Sequence, residues 1–188
     1  MSRLVLLLVS VLCLGNSMKA QAPVLNFEKL TIENGLSNNK VNCILRDKRG
    51  FIWIGTNDGL NRYDGNNFVV FRHEPGNPST ISGNIIRDMV EDKNGVLWIA
   101  TEDGGLTRYD HRLPPSQIFK QYKHLPNDST SIPVNKLNTM VADSLGYLWL
   151  GTSGFRVLRF DPQTEKFTQP VKTGTRTILD LTLDHGGI

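Results

Sequence analysis

The sequence predicts an all-β protein, a β-propeller built from four-stranded antiparallel blades. The chain repeats itself, and successive copies place their tryptophans 45 and 51 residues apart. Each copy contains four short strand-like runs separated by turn residues, and the 3.6-residue periodicity of an amphipathic helix is absent. Four short strands and one tryptophan, recurring about every 40–50 residues, are typical of propeller blades.

One motif recurs three times, and a fourth copy begins near the end of the sequence. The full copies occupy Asp47–Asp64, Asp92–Asp110 and Asp143–Asp161. The repeat units that these motifs define are residues 36–80, 81–131, 132–174 and 175–188, with boundaries that are approximate. The sequence therefore predicts an incomplete propeller over residues 21–188, with three blades plus the start of a fourth.

The first copy gives the plan of a blade. Its predicted strands, A to D in chain order, are Val41–Arg46, Phe51–Gly55, Leu60–Tyr63 and Phe68–Arg72. Asp47–Gly50 is expected to form a tight A–B turn in which the glycine adopts a positive φ. Asn57–Gly59 predicts a B–C hairpin, because Asp-Gly suits the primed turns that match the strand twist. Each sheet is apolar on both faces, so blades must stack to bury them.

The number of blades that a closed propeller needs indicates how long the whole protein is. A propeller needs about 4–8 blades to close, and this sequence supplies three with the first hairpin of another. We therefore expect the chain to be the N-terminal part of a longer protein.

The first twenty residues have the pattern of a secretory signal peptide. Arg3 precedes the apolar run Leu4–Leu14, and small and polar residues lead to Ala20, the expected cleavage position. The run is well short of the roughly 20 apolar residues that a membrane-spanning helix needs. We predict a signal peptide over residues 1–20 and export of the remainder.

Composition excludes several classes of protein. The 188 residues are 39% hydrophobic and 21% charged, as in globular rather than disordered chains. The net charge of +3, which falls to +1 when Arg3 and Lys19 leave with the signal peptide, is too small to indicate nucleic-acid binding. Cleavage also removes Cys13, and the remaining Cys43 is predicted to be a small buried hydrophobe.

The recurring aromatic and acidic residues have a functional and a structural interpretation. The tryptophans could stack on sugars, but their fixed strand position favours packing between blades: Trp53, Trp98 and Trp149. The aspartates could suggest catalysis or calcium, but each heads an Asp-x-x-Gly turn: Asp47, Asp92, Asp143 and Asp184. There the carboxylate can accept hydrogen bonds from backbone N–H groups two residues on, so we predict turn chemistry.

Histidines and arginines also follow the repeat. None of the four histidines, His73, His111, His124 and His185, has the spacing of a zinc site. His73 and His124 occupy matching positions in the links between blades, which favours a structural role. The repeated arginines are predicted to share one role on a strand face: Arg62, Arg108 and Arg159.

Alternation of strand direction places the B–C turns and the blade links on one face of the disc. The predicted contact loops on that face are Asn57-Asp58, Glu102-Asp103, Glu74–Thr80 and Leu125–Ser131. No nucleophile-elbow, phosphate-loop or dinucleotide motif occurs. We assign no catalytic, cofactor-binding or metal-ligating residue, expect no cofactor, and leave the ligand-contacting residues unknown.

The residues that precede and form the first blade resemble a known family. Leu30–Asn39, followed by Gly50–Gly65, looks like the opening of the two-component regulator propeller. The Leu-Trp-Ile-Ala-Thr and Leu-Trp-Leu-Gly-Thr segments that end at Thr101 and Thr152 resemble further repeats of it. The third copy departs from the pattern, because Ser153-Gly154-Phe155 replaces the Asp-Gly-Leu turn.

The resemblance implies a function. Such propellers form the extracytoplasmic sensor of hybrid two-component histidine kinases, whose ligands are typically oligosaccharides released from glycans. It implies a periplasmic region of an inner-membrane protein, a parent that acts as a homodimer, and contact with the membrane through downstream segments alone. It implies no contact of these blades with nucleic acid.

Two alternatives stay open from the residues alone. A secreted propeller could be a glycan-active enzyme, which requires non-repeated carboxylates that converge on the central channel. It could also be a scaffold coupled to an output other than a kinase. The sequence downstream of Ile188 would discriminate between these alternatives.

Overall fold

The computed structural model describes residues 27–154, 156–172 and 177–184. The strands are β1 (Val41–Arg46), β2 (Ile52–Thr56), β3 (Gly59–Tyr63), β4 (Phe68–Phe71), β5 (Ile86–Glu91), β6 (Leu97–Thr101), β7 (Leu106–Tyr109), β8 (Phe119–Tyr122), β9 (Leu137–Ala142), β10 (Leu148–Thr152), β11 (Arg156–Asp161) and β12 (Lys166–Lys172). A short 3₁₀ helix, Ile32–Asn34, precedes them.

The strands form three sheets of four, each with its strands side by side in chain order and antiparallel. We call them blade 1 (β1–β4), blade 2 (β5–β8) and blade 3 (β9–β12). The first strand β5 contacts both β1 and β9, and these three strands form the inner side, while β4, β8 and β12 are the outer edges. The predicted all-β propeller architecture is therefore confirmed.

The turns agree with the sequence except in one detail. Gly50 has a φ of 94° and closes the A–B turn by donating its N–H to the Asp47 carbonyl at 2.9 Å. In the B–C hairpin, Gly59 has a φ of 114°, whereas Asn57 and Asp58 keep negative φ. Primed turns need positive φ at the first residue between the strands, so the predicted primed turn is wrong. The positive φ that lets the chain turn occurs instead at Gly59, the first residue of β3.

The core lies between the sheets, as expected for blades that are apolar on both faces. Trp53 of blade 1 is fully buried and meets Tyr109 of blade 2 edge-on, with ring centroids 4.9 Å apart. Trp98 of blade 2 repeats this contact with Phe160 of blade 3 at 5.3 Å. Trp149 of blade 3 is half-buried.

The links between blades do not stay on the face where the sequence analysis placed them. The side-chain amide of Gln121 in β8 donates to the carbonyls of Asn77, Thr80 and Ile81, at 3.2, 2.8 and 3.3 Å. Segment 74–80 therefore lies along the outer edge of the following blade. The next link does the same, since Phe167 of β12 donates its N–H to the Thr130 carbonyl. An unpaired outer edge is thereby covered.

Several sequence predictions concern residues outside those described. They are the signal peptide over 1–20 with Cys13, Phe155, His185 and the end of the fourth repeat unit. Residues 177–184 run beside the inner side of blade 3, where Ile178 donates its N–H to the Thr152 carbonyl at 3.2 Å. Among the described residues, no helix has the length and apolar character that crossing a bilayer requires.

Candidate ligand-binding face

The B–C turns and the starts of the inner strands meet on one face, which we call the link face. Gly59, Glu102 and Ser153 each donate a backbone N–H to a link carbonyl, those of Asn84, Ile85 and Lys136, at 2.7, 3.0 and 3.2 Å. The predicted grouping of Asn57-Asp58 with Glu102-Asp103 on one face is therefore confirmed. Glu74–Thr80 and Leu125–Ser131 do not belong to it, because they lie along the outer edges.

Neutral side chains hold the link face together in blades 1 and 3. The Asn42 amide donates to Asn57 Oδ1 at 2.9 Å and to the Ile86 carbonyl at 2.8 Å. Asn138 occupies the same place in blade 3, where its amide donates to the Ile178 carbonyl and its Oδ1 accepts from the Ser153 hydroxyl at 3.1 Å. Each asparagine thus ties its own B–C turn to the next blade.

Blade 2 has charged residues at the same positions. Arg87 replaces the asparagine and pairs with Glu102, and Lys136 of the next link approaches Glu102 Oε1 at 3.1 Å. The hydrogen bond from Lys136 and the pairing with Arg87 hold the pKa of Glu102 below its usual value, although burial opposes this. With Asp103 of the same turn, two carboxylates face the two cations, so the blade 2 section of this face is charged but has no net charge.

The inner strands carry a further break in the repeat that sequence reasoning missed. Equivalent positions in the four copies hold Cys43, Asp88, Thr139 and Asp180. Asp88 accepts hydrogen bonds from the backbone N–H of Met140 at 2.7 Å and from the Thr139 hydroxyl at 3.1 Å, both in blade 3. Burial raises the pKa of Asp88. The sequence signal for this contact was an aspartate at a position where blades 1 and 3 have Cys43 and Thr139. In the structure, Asp88 joins the inner strands of blades 2 and 3.

The recurring aspartates have the predicted turn chemistry and one additional bond. Asp47 Oδ1 accepts from the backbone N–H groups of Arg49 and Phe51, both at 3.0 Å, and its Oδ2 accepts from the Trp53 indole at 2.9 Å. Burial would raise the pKa of Asp47, but the Trp53 and Arg49 hydrogen bonds lower it overall. The indole bond recurs in the other blades, at 3.1 Å for Asp92 and 2.8 Å for Asp143.

The other recurring residues are structural as well. His73 and His124 hydrogen-bond through Nδ1 to the carbonyls of Ile81 and Ile132, at 2.8 and 3.0 Å, and so close their links. Cys43 packs against the core between blades 1 and 2, and burial raises the pKa of its thiol to about 12. It is a free cysteine and is half-buried, where a buried hydrophobe was predicted.

The chemistry available on the link face is that of binding. It presents amide, hydroxyl and charged groups held on rigid strand ends, which suits hydrogen bonding to a polar ligand. Within residues 27–154, 156–172 and 177–184, no group of three or more His, Cys, Asp or Glu side chains could hold a metal ion.

Sequence comparison finds a family that is similar to the first two repeats. Residues 35–58 and 80–103 match the profile of the two component regulator propeller. These segments contain the inner strand and the start of the Trp-bearing hairpin of one blade, and the link and equivalent hairpin of the next. The first two repeats of this chain are therefore similar to those of that family. The resemblance read from the sequence is therefore confirmed.

Two proteins of two-component systems are similar to parts of this chain. Histidine kinase P4 of Formosa agariphila is 42% identical over 69 residues, which are 37% of this chain and 5% of that protein. The extracellular domain of the hybrid two component system BT3049 from B. thetaiotaomicron is 33% identical, with a TM-score of 0.69, over 78% of this chain and 20% of that chain.

A second solved structure is similar in fold. The extracellular domain of BT4673 from B. thetaiotaomicron has a TM-score of 0.65 and 24% identity, and the match covers 81% of this chain and 21% of that chain. This chain thus spans about a fifth or less of the length of these three relatives. Both solved structures are of extracellular domains.

Proposed function

We propose that this chain is part of the extracytoplasmic sensor region of a hybrid two-component histidine kinase, and that it responds to oligosaccharides released from glycans. The observation that carries the proposal is that two component regulator propeller repeats match a histidine kinase and the extracellular domain of a hybrid two component system. The predicted signal peptide over residues 1–20 supports export of this region.

The link face would contribute to recognition of the ligand. A bound ligand can shift a receptor between resting and signalling arrangements when it binds one arrangement more tightly than the other. In a homodimer, the two copies of the propeller would change their relative placement. Asn57 and Glu102 stand at the tips of adjacent B–C turns and are suited to contact sugar hydroxyls.

The first test is to read the gene that encodes this chain. We expect the reading frame to continue into further blades, a membrane helix and a histidine-kinase module. A stop codon soon after ring closure would contradict the kinase and favour a secreted binding protein or enzyme.

The second test measures the response of the full-length receptor in lipid nanodiscs. We expect a panel of glycan-derived oligosaccharides to contain one that changes autophosphorylation, and we expect Asn57→Ala or Glu102→Ala to weaken that response. Asp64→Asn is the matched control, since Asp64 lies in the C–D turn on the opposite face and Asn66 and Asn67 donate to its Oδ1. Hydrolysis or elimination of a polysaccharide by the receptor would contradict a purely sensory role.

A further inference from the structure

A groove of about 580 Å³ opens on the rim of blade 2, beside the outer strand β8. Its walls come from the preceding link, the C–D turn of blade 2 and β8 itself. Three of the lining side chains are cationic, Arg108, Lys120 and Lys123, and none of the lining residues within the described part of the chain is acidic. We call this feature the rim groove.

The cations of the rim groove depart from the repeat. Arg108 pairs directly across the strands with Lys120, and like charges in this position destabilise a sheet. The arginines of blades 1 and 3 face uncharged residues, since Arg62 pairs with Val69 and Arg159 with Thr168. The second cation is thus specific to blade 2 among the three described sheets.

Arg108 also lacks the aromatic partner that its equivalents have. The guanidinium of Arg62 lies 4.7 Å from the centroid of the Phe51 ring, and that of Arg159 lies 4.7 Å from the Tyr147 ring. Blade 2 has Val96 at this position. The Nε of Arg108 is buried and has no hydrogen-bond partner within the described residues. A buried donor without an acceptor is costly, so this guanidinium is less well satisfied than its equivalents.

One carboxylate partly balances these charges. Glu165, in the C–D turn of blade 3, lies 2.5 Å from Lys120 Nζ and accepts a hydrogen bond from the Tyr122 hydroxyl at 2.9 Å. Glu165 has a φ of 56°, a conformation that side chains other than glycine rarely adopt. Asp110 also interacts electrostatically with Arg108 but is paired with Arg112, so the three lining cations exceed the carboxylates available to them.

We propose that the rim groove binds an acidic oligosaccharide through a carboxylate or sulfate group. Arg108 would supply a planar donor fork suited to an oxyanion, and Lys120 and Lys123 would supply further positive charge. Hydroxyl and amide groups of Ser116 and Gln117 on the same wall can bond to sugar hydroxyls. That the ligand is a saccharide rests on the proposed function, whereas the anionic group follows from the groove.

Isothermal titration of the complete extracellular region tests this site without a kinase. The probes are a galacturonic acid tetramer for the carboxylate, a sulfated galactose tetramer for the sulfate, and an uncharged galactose tetramer. We expect one of the acidic probes to bind, the uncharged probe not to bind, and the affinity to fall as salt concentration rises. Equal binding of charged and uncharged probes would overturn the proposal.

Variants locate the binding to the groove. Lys123→Gln should weaken the affinity by about threefold, the scale of a partly exposed charge pair. Lys93→Gln is the matched control, because Lys93 is an exposed lysine in the A–B turn of the same blade. Arg108→Lys keeps the charge and removes the planar fork, and should weaken binding while circular dichroism stays unchanged. Unchanged affinity in Lys123→Gln and Arg108→Lys, with both variants folded, would place the ligand elsewhere.

Two further outcomes separate this proposal from the proposed function. Binding of an acidic probe at the groove, with no change in autophosphorylation for any oligosaccharide of the panel, would support the groove and contradict the sensor. Autophosphorylation that responds to the uncharged tetramer, with no binding of either acidic probe, would support the sensor and overturn the groove.

Discussion

The two interfaces between blades share a core and differ at the rim. Between blades 1 and 2, Trp53 packs on Tyr109, and the outer end is apolar, with Phe71 and Phe119 edge-on at 5.4 Å. Between blades 2 and 3, Trp98 packs in the same way and Tyr122 meets Phe167 edge-on at 6.3 Å, but the rim also carries Lys120 bonded to Glu165 across the interface. The repeat therefore determines the buried centre, and departures from it change the surface chemistry.

The largest expected effect comes from removing the shared core. Trp98→Ala should lower the free energy of unfolding by about 3–5 kcal/mol, as should Trp53→Ala, because both side chains are buried against the next blade. Trp149→Ala should cost less, since Trp149 is half-buried. Urea unfolding followed by circular dichroism measures the three losses. Equal losses for Trp98→Ala and Trp149→Ala would contradict this account of the interfaces.

A smaller effect is expected from the turn aspartate that anchors the tryptophan. Asp92 accepts from the Val96 N–H with one oxygen and from the Trp98 indole with the other. Asp92→Asn keeps one acceptor oxygen and places an NH₂ group, which cannot accept a hydrogen bond, against the other donor. This should lower the free energy of unfolding by about 1–3 kcal/mol. Asp64→Asn provides the control, because its two backbone bonds use the same oxygen and that oxygen is retained. Urea unfolding should therefore separate the two variants.

The charged rim gives a pH-dependent difference between the interfaces. Burial raises the pKa of Glu165, but hydrogen bonds from Lys120 and Tyr122 lower it overall below 4.5. A carboxyl with a lowered folded-state pKa stabilises the protein above its unfolded-state value, and this contribution is lost as pH falls through the folded-state pKa.

Glu165→Gln should therefore cost at most about 1 kcal/mol at neutral pH, given the exposure of the pair. The wild-type and variant unfolding midpoints should converge as the pH falls below 4.5. A difference that stays constant down to acid pH would show that Glu165 acts through packing and not through charge.

The smallest effect on stability is expected on the open face of blade 1. Ile44 and Ile52 are 67% and 36% exposed, whereas the equivalent Met89 and Leu97 of blade 2 are buried by blade 1. Residues 21–188 expressed by themselves should therefore self-associate through exposed apolar sheet surface. Ile44→Lys should reduce the sedimentation-measured association and leave the unfolding midpoint nearly unchanged. Leu145→Lys, at a 75% exposed turn position, should leave association unchanged.

Sequence periodicity predicted the strands and buried residues that recur in every blade. It did not predict the contacts that are specific to one blade. Strand A was predicted with the observed bounds of β1, and the burial of Trp53 and Trp98 followed from their fixed position. The indole bond to Asp47 was not predicted, because the spacing of six residues identifies no contact until the A–B hairpin is built. Strand β1 and the buried tryptophans could be predicted because residues that repeat along the sequence occupy the same place in each blade.

The rim and the link face depended on contacts between distant parts of the chain. Lys120 and Glu165 are 45 residues apart, and neither position stands out until blades 2 and 3 are stacked. The course of segment 74–80 was predicted wrongly, because strand alternation gives the face where a link begins and ends and not the path between. Gln121, which holds that path, lies 44 residues beyond Asn77.

This arrangement has a consequence for the order in which the protein matures. Segment 74–80 leaves the ribosome before the strand on which it will lie, and Gln121 reaches it only after roughly one more repeat has been made. Each link therefore lacks its hydrogen bonds to the outer strand until the following blade has been made. We therefore expect the blades to become resistant to proteases in order from the N-terminus. Each new blade would cover the link that precedes it.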